Sequence, residues 1–103
     1  FDHNEIKVAN SSLLILAEPA DGCLSRLGLV IAKKNIPTAV QRNLIKRIVR
    51  ETFRKRQFYM PLDIVFLARQ DAKKLSAEKL TGILQKSWSK LDHRCKIFGD
   101  GSA

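Results

Sequence analysis

The stretch P-T-A-V-Q-R-N-L-I-K-R-I-V-R-E-T-F-R-K-R, residues 37–56, predicts one amphipathic helix with an unusually basic outer face. At about 100° per residue, one side of the helical wheel is mainly apolar and the other is basic. The predicted inner side carries Val40, Leu44, Ile45, Ile48, Val49 and Thr52. The predicted outer side carries Arg42, Asn43, Lys46, Arg47, Arg50 and Arg54. Four of these cations recur every fourth residue, so they form one ridge along the helix.

The charge of this helix predicts a polyanionic partner. Between Thr38 and Arg56 there are seven Lys or Arg and one acid, which is +6 of the net +9 of the whole chain. Like charges four residues apart destabilise an isolated helix by about 0.2–0.5 kcal/mol per pair. A helix face that is merely solvated usually mixes both signs, because opposite charges at that spacing support the helix. The outer face therefore fits phosphate groups.

Length and composition predict a single RNA-binding domain spanning residues 1–103. The chain has 19 basic and 10 acidic residues, so nucleic acid is the leading partner class, followed by an anionic membrane surface and an acidic protein. No apolar run approaches the roughly 20 residues of a membrane span, and residues 1–5 do not resemble a signal peptide. We therefore expect a cytoplasmic protein without a membrane partner. Cys23 and Cys95 are then more consistent with reduced thiols than with a disulfide.

Apolar runs predict three strands around the basic helix. Residues 12–17 and 26–33 read as an antiparallel pair joined by a turn. Residues 62–69, L-D-I-V-F-L-A-R, form the strongest strand pattern, which suggests burial on both faces or a central position. The helix between the last two strands makes those two parallel. Residues 1–10 show no clear period.

Two further helical segments follow the last strand. Residues 71–75 predict a connector with one helical turn. Ser76 is the expected N-cap of a final helix that runs to about Leu91, with frayed sequence after Asp92. A core stripe at helical spacing includes Trp88 as an anchor. The predicted order is strand–strand–helix–strand–helix, an α+β two-layer domain with helices on a small mixed sheet.

The acidic residues do not predict a catalytic or metal site within the chain. A two-metal nuclease needs several acids at one pocket, and only Glu51, Asp63 and Glu78 fall inside predicted elements. Structural roles explain them better: a partner for Lys55, a strand-entry residue and an acid in the first turn of a helix. His3 and His93 have no ligand spacing around them. We predict no catalytic residue and no metal ligand here.

A binding surface is what the sequence does predict. Lys33 and Lys34 extend the charge toward the helix start, while Gln41 and Asn43 add neutral groups that can reach ribose or base edges. A DNA-binding helix-turn-helix needs a preceding helix across a short turn, whereas strands flank this helix. Recognition of folded RNA by shape and phosphate contacts fits better.

Residues 39–54 resemble the protein subunit of bacterial ribonuclease P, whose helix signature is A-V-x-R-N-x-x-K-R-x-x-R-E-x-F-R. The strand that ends in K-K at residues 26–34 also matches the family, as do L-D-I-V-F-L-A-R at 62–69 and L-x-K-S-W-x-K-L at 84–91. The resemblance covers nearly the whole chain. It also implies a left-handed strand–helix–strand crossover, where general rules favour a right-handed one.

The resemblance implies that a large catalytic RNA hydrolyses precursor tRNA to give the mature 5′ end. Magnesium would be bound mainly by that RNA and the substrate. The residues predicted to bind RNA are Lys33, Lys34, Gln41, Arg42, Asn43, Lys46, Arg47, Arg50 and Arg54. Of these, the resemblance implies that Arg42, Asn43, Lys46, Arg47, Arg50 and Arg54 face the catalytic RNA. Those implied to line a cleft for the 5′ leader of the substrate are Phe1, Leu16, Lys33 and Lys34. No obligate protein partner is implied.

Three departures from the family pattern stand out. Leu44 replaces the usual second Arg of an R-N-R triplet, the family's N-terminal helix is largely absent, and the first strand carries aliphatic residues where some members place an aromatic. Two alternatives stay open at this point. One is an RNA-binding protein of ribosomal or chaperone type with no role in a reaction, and the other is a metal-dependent nuclease, which the acid inventory disfavours.

Overall fold

The structure is a computed structural model that describes residues 6–20, 22, 24–58 and 60–101, with side chains in the last helix described as far as Lys96. Four strands form one sheet, and two α-helices and a short 3-10 helix complete the fold. In chain order the elements are β1 (Ile6–Ala9), β2 (Leu13–Pro19), β3 (Arg26–Val30), α1 (Ala39–Lys55), β4 (Leu62–Ala68), a 3-10 helix (Gln70–Lys74) and α2 (Ala77–Gly101). The predicted α+β class with a mixed sheet is confirmed.

The sheet order is β1-β2-β4-β3, which corrects one predicted pairing. The runs at 12–17 and 26–33 were expected to pair with each other, but β4 lies between them. It pairs antiparallel with β2 and parallel with β3. Because β4 is apolar enough to lie in the middle of the sheet, it pairs with both β2 and β3. These two strands therefore do not pair with each other, although they are adjacent in sequence. The parallel pairing across α1 is confirmed, and its left-handed crossover stays a prediction.

Strand β1 was missed because it is only four residues long. Its side chains alternate between buried Ile6 and Val8 and exposed Lys7 and Ala9, too short a run for a period to be recognised. It forms a hairpin with β2. In the turn between them, the side-chain oxygen of Asn10 accepts hydrogen bonds from the backbone amides of Ser12 and Leu13. The edge position explains its half-polar sequence.

The core lies between one face of the sheet and the two helices. Strand residues alternate strictly in β2 and β4, so one face is buried and the other is only partly covered. Trp88 of α2 is 1 % exposed and packs edge-on against Phe53 and Phe58, while its indole N–H donates to Thr52 at 3.0 Å. The predicted anchor role of Trp88 is confirmed, and it is what fixes α1 against α2.

Helix α2 extends to Gly101, about ten residues past the predicted end near Leu91. The apolar stripe continues through Cys95, which is fully buried, so the helix keeps a core contact beyond Asp92. Cys95 is a free thiol. Burial, with a smaller contribution from the charge of Asp92, raises the pKa of Cys95 to about 11. The thiol is therefore neutral near pH 7. Cys23 lies outside the described residues.

Candidate nucleic-acid interface

Helix α1 begins where the sequence predicted. Thr38 is the N-cap, and its hydroxyl oxygen accepts the backbone N–H of Gln41 at 3.3 Å. The same hydroxyl lies 3.2 Å from the Gln41 side-chain oxygen, to which it can donate. These contacts satisfy one of the amides that a helix start leaves without a partner. The start of the basic ridge is thus held by local chemistry.

The inner face of α1 is narrower than the wheel predicted. Ile45, Ile48 and Val49 are buried, and Leu44 packs at the edge of the core. Val40, however, is 79 % exposed, so its predicted core position is wrong. It lies about 140° around the helix from Ile45, beyond the arc that the sheet and α2 can cover. Leu44 is compatible with its place at the rim.

The outer face of α1 presents the predicted cations to solvent. Asn43, Arg47, Arg50 and Arg54 are exposed, and Lys46 is half-buried. With Glu51 they line one shallow hollow along the helix. None of Arg47, Arg50 and Arg54 takes part in an ion pair with another described residue. Their charge is therefore available to an external anion.

Two of the predicted RNA contacts also have a structural task. One terminal nitrogen of Arg42 donates to the backbone oxygens of Ile36 at 3.0 Å and Pro37 at 2.8 Å. The side-chain amide of Gln41 donates to the backbone oxygen of Lys73 at 3.0 Å. These bonds tie the loop before α1 and the 3-10 helix to the first turn of α1. Arg42 is half-buried as a result.

Lys33 and Lys34 lie in an exposed turn after β3 rather than at its end. The turn is anchored because Asn35 donates its side-chain N–H to the Ala68 oxygen at 3.1 Å, and Ile36 is fully buried beside it. Since β3 and β4 are parallel, their carboxyl ends share one edge of the sheet. Exposed Arg69, which directly follows β4, therefore lies at the same edge as these lysines. Sequence reasoning missed Arg69 because only the strand pairing brings it there.

The second candidate region is the face of the sheet that the helices leave open. Its residues, in register across the four strands, include Lys7, Ala9, Leu14, Leu16, Glu18, Arg26, Val30, Asp63, Val65 and Leu67. Leu16 is half-buried and lies between Lys7 of β1 and Val65 of β4. The centre of this face is aliphatic, Lys7 lies at its β1 margin, and Glu18, Asp63 and Arg26 lie side by side at one end. Leu16 thus stands on a surface that a single strand could cover, whereas Phe1 lies outside the described residues.

The described acids are dispersed. No three metal-ligating side chains come together among residues 6–20, 22, 24–58 and 60–96. Ion pairs among these residues include Arg56 with Asp92 at 3.6 Å and Lys74 with Asp71 at 3.9 Å. The expected pairing of Glu51 with Lys55 is therefore wrong, and Glu51 instead lines the groove between the two helices. Glu78 lies in the first turn of α2, as predicted.

Comparison with known proteins decides the family. The model of the ribonuclease P family matches residues 2–92. The chain belongs to this family. The ribonuclease P protein component of Pseudoalteromonas atlantica is 42 % identical over 94 residues, which is 90 % of this chain and 78 % of that protein. The component of Photobacterium profundum is 45 % identical over 86 residues, covering 82 % and 73 % of the two chains.

Solved structures of ribonuclease P proteins share the fold. The Staphylococcus aureus protein superimposes with a TM-score of 0.71 at 30 % identity, over 91 % of this chain and 84 % of that one. The Thermotoga maritima protein gives 0.61 at 28 % identity, over 80 % and 83 %. The resemblance carried by residues 39–54 is thereby confirmed. Family membership supports a role in tRNA processing by a nuclease ribonucleoprotein. The individual RNA-contacting residues stay predictions.

Neither described helix combines the length and apolarity that crossing a bilayer requires.

Proposed function

We propose that this chain is the protein subunit of ribonuclease P, which binds the catalytic RNA and the 5′ leader of precursor tRNA to promote maturation of the tRNA 5′ end. The observation that carries the proposal is the outer face of α1. It presents exposed Arg47, Arg50 and Arg54 without acidic partners among the described residues, in a chain that belongs to the ribonuclease P family. We place the protein in the cytoplasm.

The catalytic RNA lies against α1 in this proposal. Consecutive cations of the ridge are four residues apart, or about 6 Å along the helix axis, so they can contact successive phosphates of one strand. Exposed Asn43 adds a side-chain amide that can bond a ribose or a base edge. Arg42 contributes through its remaining donors, since one nitrogen already holds the loop before the helix. Affinity should fall with salt, with a slope of about −0.7 to −0.9 per phosphate contacted.

The 5′ leader lies on the open face of the sheet. Leu16 supplies an apolar surface there, while Lys33 and Lys34 are proposed to contact the leader phosphates from their exposed turn. An aliphatic floor cannot stack on bases as an aromatic can. Leader binding should accordingly depend on chain length and charge more than on base identity. Phe1 is proposed to contribute to the same cleft.

Catalysis is assigned to the RNA subunit. Magnesium ions bound mainly by that RNA and the substrate would activate the water and stabilise the leaving oxygen. This chain's part is to bind, to neutralise phosphate repulsion and to orient the leader.

Cleavage of precursor tRNA with and without the catalytic RNA, at low magnesium, tests the proposal. We expect no cleavage by the protein alone and stimulation when both components are present. Arg47→Gln/Arg50→Gln should reduce the stimulation, whereas the charge-matched control Lys55→Gln/Lys74→Gln should retain it, because those lysines lie off the ridge. Cleavage by protein alone would instead support an independent nuclease. Tight RNA binding without stimulation would point to a general RNA-binding protein.

A further inference from the structure

Helix α2 carries a second ridge of cations that the proposed function does not use. The α2 ridge consists of Lys79, Lys86, Lys90 and Arg94, and all four side chains are exposed. At about 100° per residue they fall within an arc of about 80° on one side of the helix. The apolar stripe of α2 that contains Trp88 lies on the opposite side. We infer that the α2 ridge is a second RNA-binding surface that takes the phosphate backbone of a strand not held by α1.

The first support is the absence of compensating acid along the ridge. No Asp or Glu stands three or four residues from any of the four cations in the sequence. Lys86, Lys90 and Arg94 are instead spaced four apart, so like-charge repulsion destabilises the helix in isolation. The described acids of α2, Glu78 and Asp92, lie about 100° and 140° around the helix from Lys79. The ridge therefore shows the same imbalance that marks α1.

The second support is the direction of the ridge. The opposite flank of α2 faces α1, since Arg56 of the α1 C-cap contacts Ser89 and Asp92. The ridge flank lies over β1, where Lys86 and Lys90 line a hollow with Val8 and Asn10. Arg94 is also tied to this edge, because it donates to the backbone oxygen of Lys7.

The basic face of α1 points the other way. Arg54 lines a hollow with Ser25, the residue directly before β3, and β3 is the sheet edge opposite β1. The two basic surfaces thus lie on opposite flanks of the helical layer. Between them is a groove of about 340 Å³ whose lining includes Glu51, Lys55 and Arg56. Because the two surfaces face opposite ways, the inference is that the chain contacts two RNA segments at once.

The occupant is an RNA backbone rather than a membrane. A helix that lies on a membrane inserts large apolar side chains beside its cations. The exposed large apolar residues of the described chain are Leu24, Val30 and Val40, and none lies in residues 77–96, the part of α2 whose side chains are described. The ridge spacing of about 6 Å along the axis suits successive phosphates. The catalytic RNA and precursor tRNA offer the same chemistry, so the experiment has one arm for each.

The test compares Lys86→Gln/Lys90→Gln with the control Lys55→Gln/Lys74→Gln in the full chain. One arm measures binding of labelled catalytic RNA as a function of salt, and the other measures binding of precursor tRNA to the assembled holoenzyme. In one of the two arms the α2 variant should lower the salt slope by about 1.5 and weaken affinity about tenfold near 0.15 M salt. The control should change neither. Lys86→Arg/Lys90→Arg should restore wild-type values, which separates charge from packing.

Several results would overturn the inference. If the α2 variant matches the control in both arms while Arg47→Gln/Arg50→Gln is defective, the second surface is refuted and the proposed function stands. If only the α2 variant is defective, the inference stands and the role of α1 fails. If wild type binds vesicles of anionic phospholipid, and the α2 variant loses that binding but keeps both RNA affinities, a membrane is the occupant instead.

Discussion

The outer face of α1 and the open face of the sheet are both proposed to bind RNA, yet they are built from opposite materials. On α1, exposed Arg47, Arg50 and Arg54 stand on a helix held by a buried apolar stripe. On the sheet, Leu16 and its neighbours form a half-buried aliphatic surface with charged residues of both signs only at its edges. The α1 surface offers an RNA exposed cations on a helix, whereas the centre of the sheet surface offers apolar contact.

This difference separates the two kinds of affinity that the protein can supply. Contacts between phosphates and the α1 ridge release counterions, so their contribution falls steeply as salt rises. Apolar contact on the sheet has no counterion term and depends on buried area and stacking. A variant in one region should therefore change the salt dependence of binding, and a variant in the other should change affinity at constant salt dependence. The predictions below test that separation.

The largest effect on stability is expected from Trp88→Ala, because Trp88 is the buried side chain of α2 against which α1 packs. Trp88 is fully packed against Phe53 and Phe58 and donates its N–H to Thr52. Losing a buried aromatic should lower the free energy of unfolding by about 3–5 kcal/mol. Urea unfolding followed by circular dichroism measures this. Trp88→Phe, which keeps a ring but not the donor, should be less damaging. Equal stability of Trp88→Ala and wild type would show that α1 is held by other contacts.

Arg50→Ala should weaken binding of the catalytic RNA without unfolding the chain. The side chain is exposed and makes no ion pair with another described residue, so its loss should leave thermal stability within about 0.5 kcal/mol of wild type. The salt slope should decrease by about 0.7–0.9, one phosphate contact. Binding isotherms at several salt concentrations measure it, with Lys55→Ala as control. A sharp loss of stability with unchanged RNA affinity would show that this face points inward.

Leu16→Phe should produce the complementary result on the sheet. The residue is half-buried on the open face between Lys7 and Val65, so a larger ring can extend from it toward solvent. Stacking of a base on an aromatic side chain contributes about 1–3 kcal/mol. Precursor tRNA with a 5′ leader should thus bind the holoenzyme about tenfold more tightly, at an unchanged salt slope. Substrate without a leader is the control. Equal gains on both substrates would place the leader elsewhere.

The contrast between these regions also explains what could be predicted from sequence. Helix α1 was predicted with its cap and its ridge because period, cap and charge are local properties of residues 38–56. The open face could not be derived, because which residues share it depends on the order β1-β2-β4-β3. That order pairs strands that are distant in sequence. Arg69 was missed for the same reason, since its proximity to Lys33 depends on parallel pairing.

Even on α1, pattern alone could not show which polar groups are already engaged. The wheel placed Arg42 with the other outward cations, but it bends back to the oxygens of Ile36 and Pro37. Hydrogen bonds to a preceding loop carry no periodic signal. The prediction for Val40 is wrong for a different reason. The helical wheel assigned too wide an arc of α1 to the core, and Val40 lies in the part that remains exposed. Charge patterning thus predicts which face of the helix is basic, whereas the three-dimensional structure shows which of its side chains are free to bind RNA.

The smallest effect is expected at the start of the helix, from Thr38→Ala. The hydroxyl of Thr38 caps the Gln41 amide at 3.3 Å, and removal of such a cap costs about 1 kcal/mol. Fraying of the first turn would loosen Arg42 and its hold on the preceding loop. Binding of the catalytic RNA should then weaken by a few-fold, while the gain from Leu16→Phe on the sheet should persist in the double variant. Thr38→Ser keeps the acceptor and should behave as wild type.

Because the two regions are proposed to act independently, the effects of Thr38→Ala and Leu16→Phe on binding free energy should add within about 0.5 kcal/mol. A larger departure from additivity would show that the α1 ridge and the open face are coupled through the loop at residues 33–38.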